Sequence, residues 1–135
     1  MSCQVLHLER KAYREVWDLQ KSLQSALIAG EGEETLILCE HDPVITLGKS
    51  ALRANLLFSE DELAKRGVCV YEIERGGDVT WHGPGQLVGY PILDLNRHKR
   101  DVHWYMRSLE ELLISALSRF DIEGVRISGK TGVWV

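Results

Sequence analysis

Polar and apolar positions follow two rhythms along the chain. Gln4 to Glu9 reads as a first strand. Tyr13, Val16, Trp17, Leu23 and Leu27 then recur at helical spacing, and Gly30 stands where that helix has to stop. The continuous apolar run Thr35-Leu-Ile-Leu-Cys-Glu40 is a buried strand, His41-Asp-Pro43 a turn, and Val44 to Leu47 the next strand. Ser59 and Glu62 have the spacing of a capping box, in which each side chain satisfies a backbone N–H of the other's turn, and the short helix they open ends near Gly67. Val68 to Ile73 and Leu87 to Leu95 are strands on either side of a glycine-rich stretch. Tyr105, Leu109, Leu112, Leu113, Ala116, Leu117 and Phe120 line one face of a long helix, with Glu110, Glu111 and Arg119 off it. Gly124 to Ile127 and Gly132 to Val135 complete the pattern as two strands around a Ser128-Gly-Lys130 turn. Strands interleaved with helices and joined by hairpin-like links give an α/β chain with a mixed sheet.

Composition narrows the class of protein without naming its task. The 135 residues, 44% apolar and 27% charged, suit one soluble globular domain spanning 1–135. A net charge of −4 gives no footprint for nucleic acid. No apolar run is long enough for a membrane helix, and the N-terminus lacks the layout of a secretory signal, so the expected compartment is the cytosol. Three widely spaced cysteines argue against a disulfide framework. Cys39 and Cys69, inside apolar runs, are expected to be buried, and Cys3 to lie near the surface. The five histidines show no ligand spacing beside acidic or thiol partners, so no metal is expected; no cofactor is expected either.

The chemistry concentrates in Arg75-Gly-Gly-Asp-Val-Thr-Trp-His-Gly-Pro-Gly-Gln86, which holds four glycines. Glycine at that density lets a backbone bend tightly and approach a ligand, and its free N–H groups can face an anion or a carbonyl oxygen. Arg75 adds a permanent charge on a planar fork of donors. In an extended run Thr80 and His82 share one face, Val79 and Trp81 the other. The alternative is a hairpin loop that binds nothing, with His82 holding it together by hydrogen bonds. Trp81 reads as packing, Gly83-Pro84-Gly85 as a turn that Gln86 ties, and His41 as structural.

This string closely resembles the R-G-G-x-x-T-x-H-G-P-G-Q signature of the lipoyl(octanoyl) transferases. Tyr13 to Gln20 is similar to that family's first helix, Glu40-His-Asp-Pro-Val-Ile-Thr-Leu-Gly48 to its E-H-x-P-V-x-T-L-G segment, and Thr131-Gly-Val-Trp-Val135 to its T-G-V-W-V strand. The resemblance implies an α/β fold of the α+β type: a mixed, largely antiparallel sheet flanked by helices, as in the biotin and lipoate protein ligases. It implies transfer of an octanoyl group from acyl carrier protein to a lysine of lipoyl domains, those of the dehydrogenase complexes and the glycine cleavage H protein. Substrate binding falls to Arg75, Gly76, Gly77, Asp78, Val79, Thr80, Trp81 and His82. Lys49, where relatives often carry a basic residue, would face an acidic carrier. Two other readings remain: an ATP-dependent lipoate or biotin ligase, and an acyl-binding module without catalysis.

In the family a lysine base and a cysteine nucleophile follow the T-G-V-W-V strand, and the 135 residues include neither segment. The resemblance therefore places no catalytic residue in this stretch. It implies that these residues alone form no acyl-enzyme, since thiolate attack needs that cysteine. Lys130 precedes the strand and reads as an exposed turn lysine. The apolar run Gly132 to Val135 calls for an edge partner, and an open edge there favours self-association.

Overall fold

The computed structural model describes residues 2–135, in two units that divide between Leu93 and Asp94. The first unit contains β1 (Gln4–Lys11), α1 (Tyr13–Ile28), β2 (Thr35–His41), β3 (Val44–Leu47), α2 (Glu60–Lys65), β4 (Cys69–Glu72), β5 (Val79–His82) and β6 (Val88–Ile92), with a 3-10 turn at Arg53–Asn55. The strands form two three-stranded sheets, ordered β1-β2-β6 and β4-β3-β5. Each central strand has one parallel neighbour, β1 for β2 and β4 for β3, and one antiparallel neighbour, β6 for β2 and β5 for β3. The mixed architecture is as expected. The single sheet resolves into two, and parallel and antiparallel pairings are equal in number.

The side-chain rhythm explains the elements. Along β2, Thr35, Ile37, Cys39 and His41 are buried, while Leu36, Leu38 and Glu40 are partly covered. Val16 of α1 packs with Ile37 and Cys39 into a core that Leu6, Leu8, Leu19, Leu23 and Tyr90 extend. Each such aliphatic side chain contributes roughly 1.5–3 kcal/mol when fully buried. α1 ends at a left-handed Gly30, where the Gly30 and Glu31 amides bond back to Leu27 and Ala26. The Ser59–Glu62 capping box forms in full and opens α2. β1 runs two residues beyond the expected Glu9 because a bulge between His7 and Arg10 keeps it in step with β2. Cys69 corrects the expectation of burial: it starts β4, an edge strand, and is exposed.

The second unit, Asp94–Val135, is built on α3 (Val102–Ser118), preceded by a 3-10 turn at Leu95–Arg97. The Asp101 carboxylate caps α3 by accepting from the Trp104 amide at 2.9 Å. The helix is as expected, but its burial is not. Leu112, Leu113 and Phe120 are exposed, and the one buried residue of α3 is Glu110. Its carboxylate accepts from Arg107 at 2.6 Å, from Arg126 Nε at 2.9 Å and from the Gly132 amide at 2.9 Å. The two strands expected after α3 reduce to one antiparallel bridge between Val125 and Trp134, closed by bonds of 2.8 and 2.9 Å. The ladder stops there because Gly132, at φ 132°, gives its amide to Glu110 instead of to a strand.

Candidate functional site

The glycine-rich loop lies in the first unit between β4 and β5, and Arg75 organises it from within. Its Nε and Nη2 donate to Thr46 Oγ1 at 3.3 and 2.9 Å. Nη2 also reaches the carbonyls of Thr46 and Asp78, both at 2.9 Å, and Nη1 that of Gly76 at 2.9 Å. Thr46 is wholly buried on β3, so the guanidinium is fixed to the sheet. The remaining carbonyls face segment 48–50. Arg75 O accepts from the Lys49 amide at 2.9 Å, Gly77 O from Ser50 at 3.2 Å, and Asp78 O from Gly48 at 3.2 Å. Gly48 allows this approach: a Cβ there would stand 2.3 Å from Gly77 O.

With its carbonyls turned inward, the loop presents its amides outward. Among the described residues, no acceptor takes the N–H of Gly76 or Gly77. A Cβ on Gly76 would meet nothing within 4 Å, so open space lies before it, and Gly77 holds φ at 89°. Adjacent outward amides in such a bend form a concavity for an anion or a carbonyl oxygen. The Asp78 side chain turns elsewhere: Oδ1 accepts from the Leu52 amide at 3.1 Å and Oδ2 from Asn55 Nδ2.

β5 carries the rest of the motif. Thr80 pairs with Thr46 and His82 with Val44, both of whose partners are buried, so these two side chains face inward. Trp81 points the other way, half exposed, with its ring lying over Gly83 so closely that a Cβ there would come within 2.2 Å. Gly83 to Gln86 is a tight turn with a 3.1 Å bond from the Gln86 amide to Gly83 O and Gly85 at φ 86°. The Gln86 side chain ties His82 rather than the backbone: Oε1 accepts from His82 Nδ1 at 2.5 Å. An amide oxygen only accepts, so Nδ1 carries the proton of this bond.

Behind His82 lies a buried polar knot. His41 is fully enclosed, with its ring 5.9 Å from that of His82. Its Nδ1 donates to Lys11 O at 3.2 Å, so its Nε2 accepts from the Tyr90 hydroxyl at 2.7 Å, and Cys39 Sγ sits 3.7 Å from the same nitrogen. Burial pushes the His41 pKa down and those of the Cys39 thiol and Tyr90 hydroxyl up, which keeps the knot neutral. Tyr13 of α1 closes it, its ring 5.2 Å from His41 and 5.4 Å from Tyr71. Burial raises the Tyr13 pKa and the charge of Arg75 moderates the rise.

The structure thus gathers Arg75, Gly76, Gly77, Thr80 and His82 around one sheet face. Sequence reasoning missed Thr46 and Glu40, whose Oε2 accepts from the Gly85 amide at 2.7 Å. Both stand in the Glu40–Gly48 segment, of which only His41 drew attention. Lys130 is exposed in its turn, as expected. A separate cleft of about 410 Å³ opens at the β1 bulge, between His7–Arg10, Cys39, Glu40 and Leu87, and no glycine-loop residue lines it.

Comparison with known proteins gives this geometry a context. Residues 12–135 match the model of the lipoyl protein ligase A/B catalytic domain. An octanoyltransferase of Chloroflexus aurantiacus is 47% identical over 97% of this chain and 59% of its own length. One from Acidobacterium capsulatum is 46% identical over 99% of this chain and 57% of its own. The chain therefore spans a little under 60% of the length of these curated relatives. Among solved structures, lipoate-protein ligase A bound with ATP aligns with a TM-score of 0.66 at 18% identity, covering 100% of this chain and 54% of that one. A structure of the bipartite lipoate protein ligase and its E2 lipoyl domain from Thermoplasma acidophilum aligns at 0.65 and 18% identity, covering 95% and 49%. At such identities the likeness shows a shared fold.

Proposed function

The chain belongs to the lipoyl protein ligase A/B catalytic domain family, and from that premise we propose that it is the acyl-binding part of an octanoyltransferase. Both units belong, in this reading, to one catalytic domain. The complete protein moves an octanoyl group from acyl carrier protein to a lysine of a lipoyl domain, in the dehydrogenase complexes or the glycine cleavage H protein. Its place is the cytosol, and protein lipoylation its purpose. In the transfer, a cysteine thiolate displaces the carrier's thiol, and the lysine amine then displaces the cysteine from the new thioester. The lysine base and cysteine of that scheme lie outside these 135 residues, which supply the ground on which the acyl carbonyl sits.

The observation that carries the reading is the pair of unclaimed amides at Gly76 and Gly77, on a loop whose carbonyls are all turned inward. Two adjacent N–H donors without a partner suit the oxygen of an acyl group, whose negative charge grows as a tetrahedral intermediate forms. His82 Nε2 is the ring nitrogen left to accept a hydrogen bond from the attacking amine or thiol, Nδ1 being bonded to Gln86. Thr46 and Arg75 hold the loop to the sheet.

The test has two arms. The chain should bind octanoic acid saturably, and Gly76→Val should abolish that binding with the melting temperature little changed, since a Cβ there meets nothing within 4 Å. A complete protein containing the chain should transfer octanoate from acyl carrier protein to an apo lipoyl domain without ATP. Formation of an acyl adenylate from ATP and octanoate would replace this reading with that of a ligase.

A further inference from the structure

We infer that Asp78 is a positioning residue: it seats segment 48–55 against the glycine loop and so sets the direction of the Gly76 amide. The inference rests on the proposed role of that amide in acyl binding. The family signature leaves this position variable, so the role comes from geometry alone. Asp78 holds the segment at three points. Its carbonyl accepts from the Gly48 amide at 3.2 Å, and its carboxylate accepts from the Leu52 amide at 3.1 Å and from Asn55 Nδ2. Between these points the amides of Lys49 and Ser50 bond to the carbonyls of Arg75 and Gly77, at 2.9 and 3.2 Å. A peptide plane whose oxygen faces the segment must turn its N–H the opposite way. The bond from Lys49 to Arg75 O therefore orients the Gly76 N–H, which shares that plane, while the Gly77 N–H lies opposite Gly76 O and is set by Arg75 Nη1.

The alternative is direct contact between Asp78 and the acyl group, and its chemistry is unfavourable. A carboxylate is acceptor-only and offers nothing to a carbonyl oxygen, while its charge opposes any developing oxyanion. Both of its oxygens are also in use, on Leu52 and Asn55. The segment is otherwise poorly held. Leu52 is exposed, as is Leu57 beyond it, and Arg53 reaches outward to Glu60 and Glu72. Little apolar burial keeps it in place, so loss of the carboxylate should release it.

Four variants test this: Asp78→Ala, Asn55→Ala, the double alanine, and the exchange Asp78→Asn with Asn55→Asp, which rebuilds the side-chain hydrogen bond in reverse. Octanoic acid affinity, amide hydrogen exchange and melting temperature are read for each. Asp78→Ala should weaken binding about tenfold, equivalent to ~1.4 kcal/mol. It should also speed exchange at Ser50 and Leu52 and move the melting temperature by no more than about 2 °C. The double alanine should be no worse than Asp78→Ala, and the exchange variant should recover both affinity and protection. Unchanged binding in Asp78→Ala overturns the inference, and so does a loss the exchange variant leaves unrepaired, which would make Asp78 a direct contact. Should the unaltered chain take up no octanoic acid, the acyl reading fails. Hydrogen exchange then decides alone: protection lost in Asp78→Ala and regained in the exchange variant upholds the seat, and unaltered protection removes it.

Discussion

Arg75 is legible in the sequence as a permanent charge in a glycine-rich loop, yet its partner is not. Thr46 lies 29 residues away, and nothing in the local pattern links a strand threonine to a distant guanidinium. The pairing is strong by position, because Nε and Nη2 converge on one buried hydroxyl. Thr46→Val keeps the shape and removes that acceptor, and a lost hydrogen bond to a charged group costs roughly 1.5–3 kcal/mol. A chemical denaturation series should show this loss, and Arg75→Lys should not be tolerated better than Arg75→Ala, since an ammonium lacks the fork. The glycines separate in the same way. Gly48→Ala forces a Cβ against Gly77 O and should cost roughly 1–3 kcal/mol as the backbone gives way. Gly76→Ala should be close to neutral in stability. Composition makes these two glycines alike, and only the fold tells them apart. Cys69 departs from its expected burial for a related reason: an apolar run marks a strand, but whether its first residue is covered depends on whether a neighbouring strand lies outside it.

At the scale of elements, periodicity served α1, β2, β3 and α2 well, because each has a regular rhythm and a local stop signal. It failed on the burial of α3. Seven apolar residues at helical spacing promised a covered stripe, yet the enclosed residue is a glutamate placed off that stripe. Helical spacing reports which residues share a face, not which face finds a partner. Here Arg107, Arg126 and the Gly132 amide converge on Glu110 and draw it inward. Glu110→Gln keeps the volume and loses the charge, so it should loosen residues 124–134 while leaving α3 helical. Faster hydrogen exchange at Gly132 and Trp134 with unchanged helical circular dichroism would register this. Glu110→Ala should loosen the segment further, because two guanidinium groups then lose their shared acceptor.

Across the whole molecule, the two units should respond to acid at different pH. In the first, burial lowers the His41 pKa below its ordinary 6.5. The unfolded chain then binds the proton more readily, so stability is full above 6.5 and falls as pH drops from there toward the lower folded value. In the second, the Gly132 amide and two arginines hold the Glu110 pKa below its ordinary 4.5, so its contribution persists to about that pH and is lost below it. Hydrogen exchange followed from pH 8 to pH 4 should show residues around β2 and β6 opening before those around α3; simultaneous opening would contradict the assignment. The order of strands has a further consequence, for synthesis. β2 gains its antiparallel partner β6 only after the other sheet's strands have been made, with Cys39 paired to Val88, 49 residues downstream. A ribosome adding about 5–20 residues per second leaves that gap open for several seconds. During that interval a strand with four consecutive apolar residues, Leu36 to Cys39, has one bare edge, which makes the nascent polypeptide a client for holding chaperones and a candidate for aggregation when translation stalls.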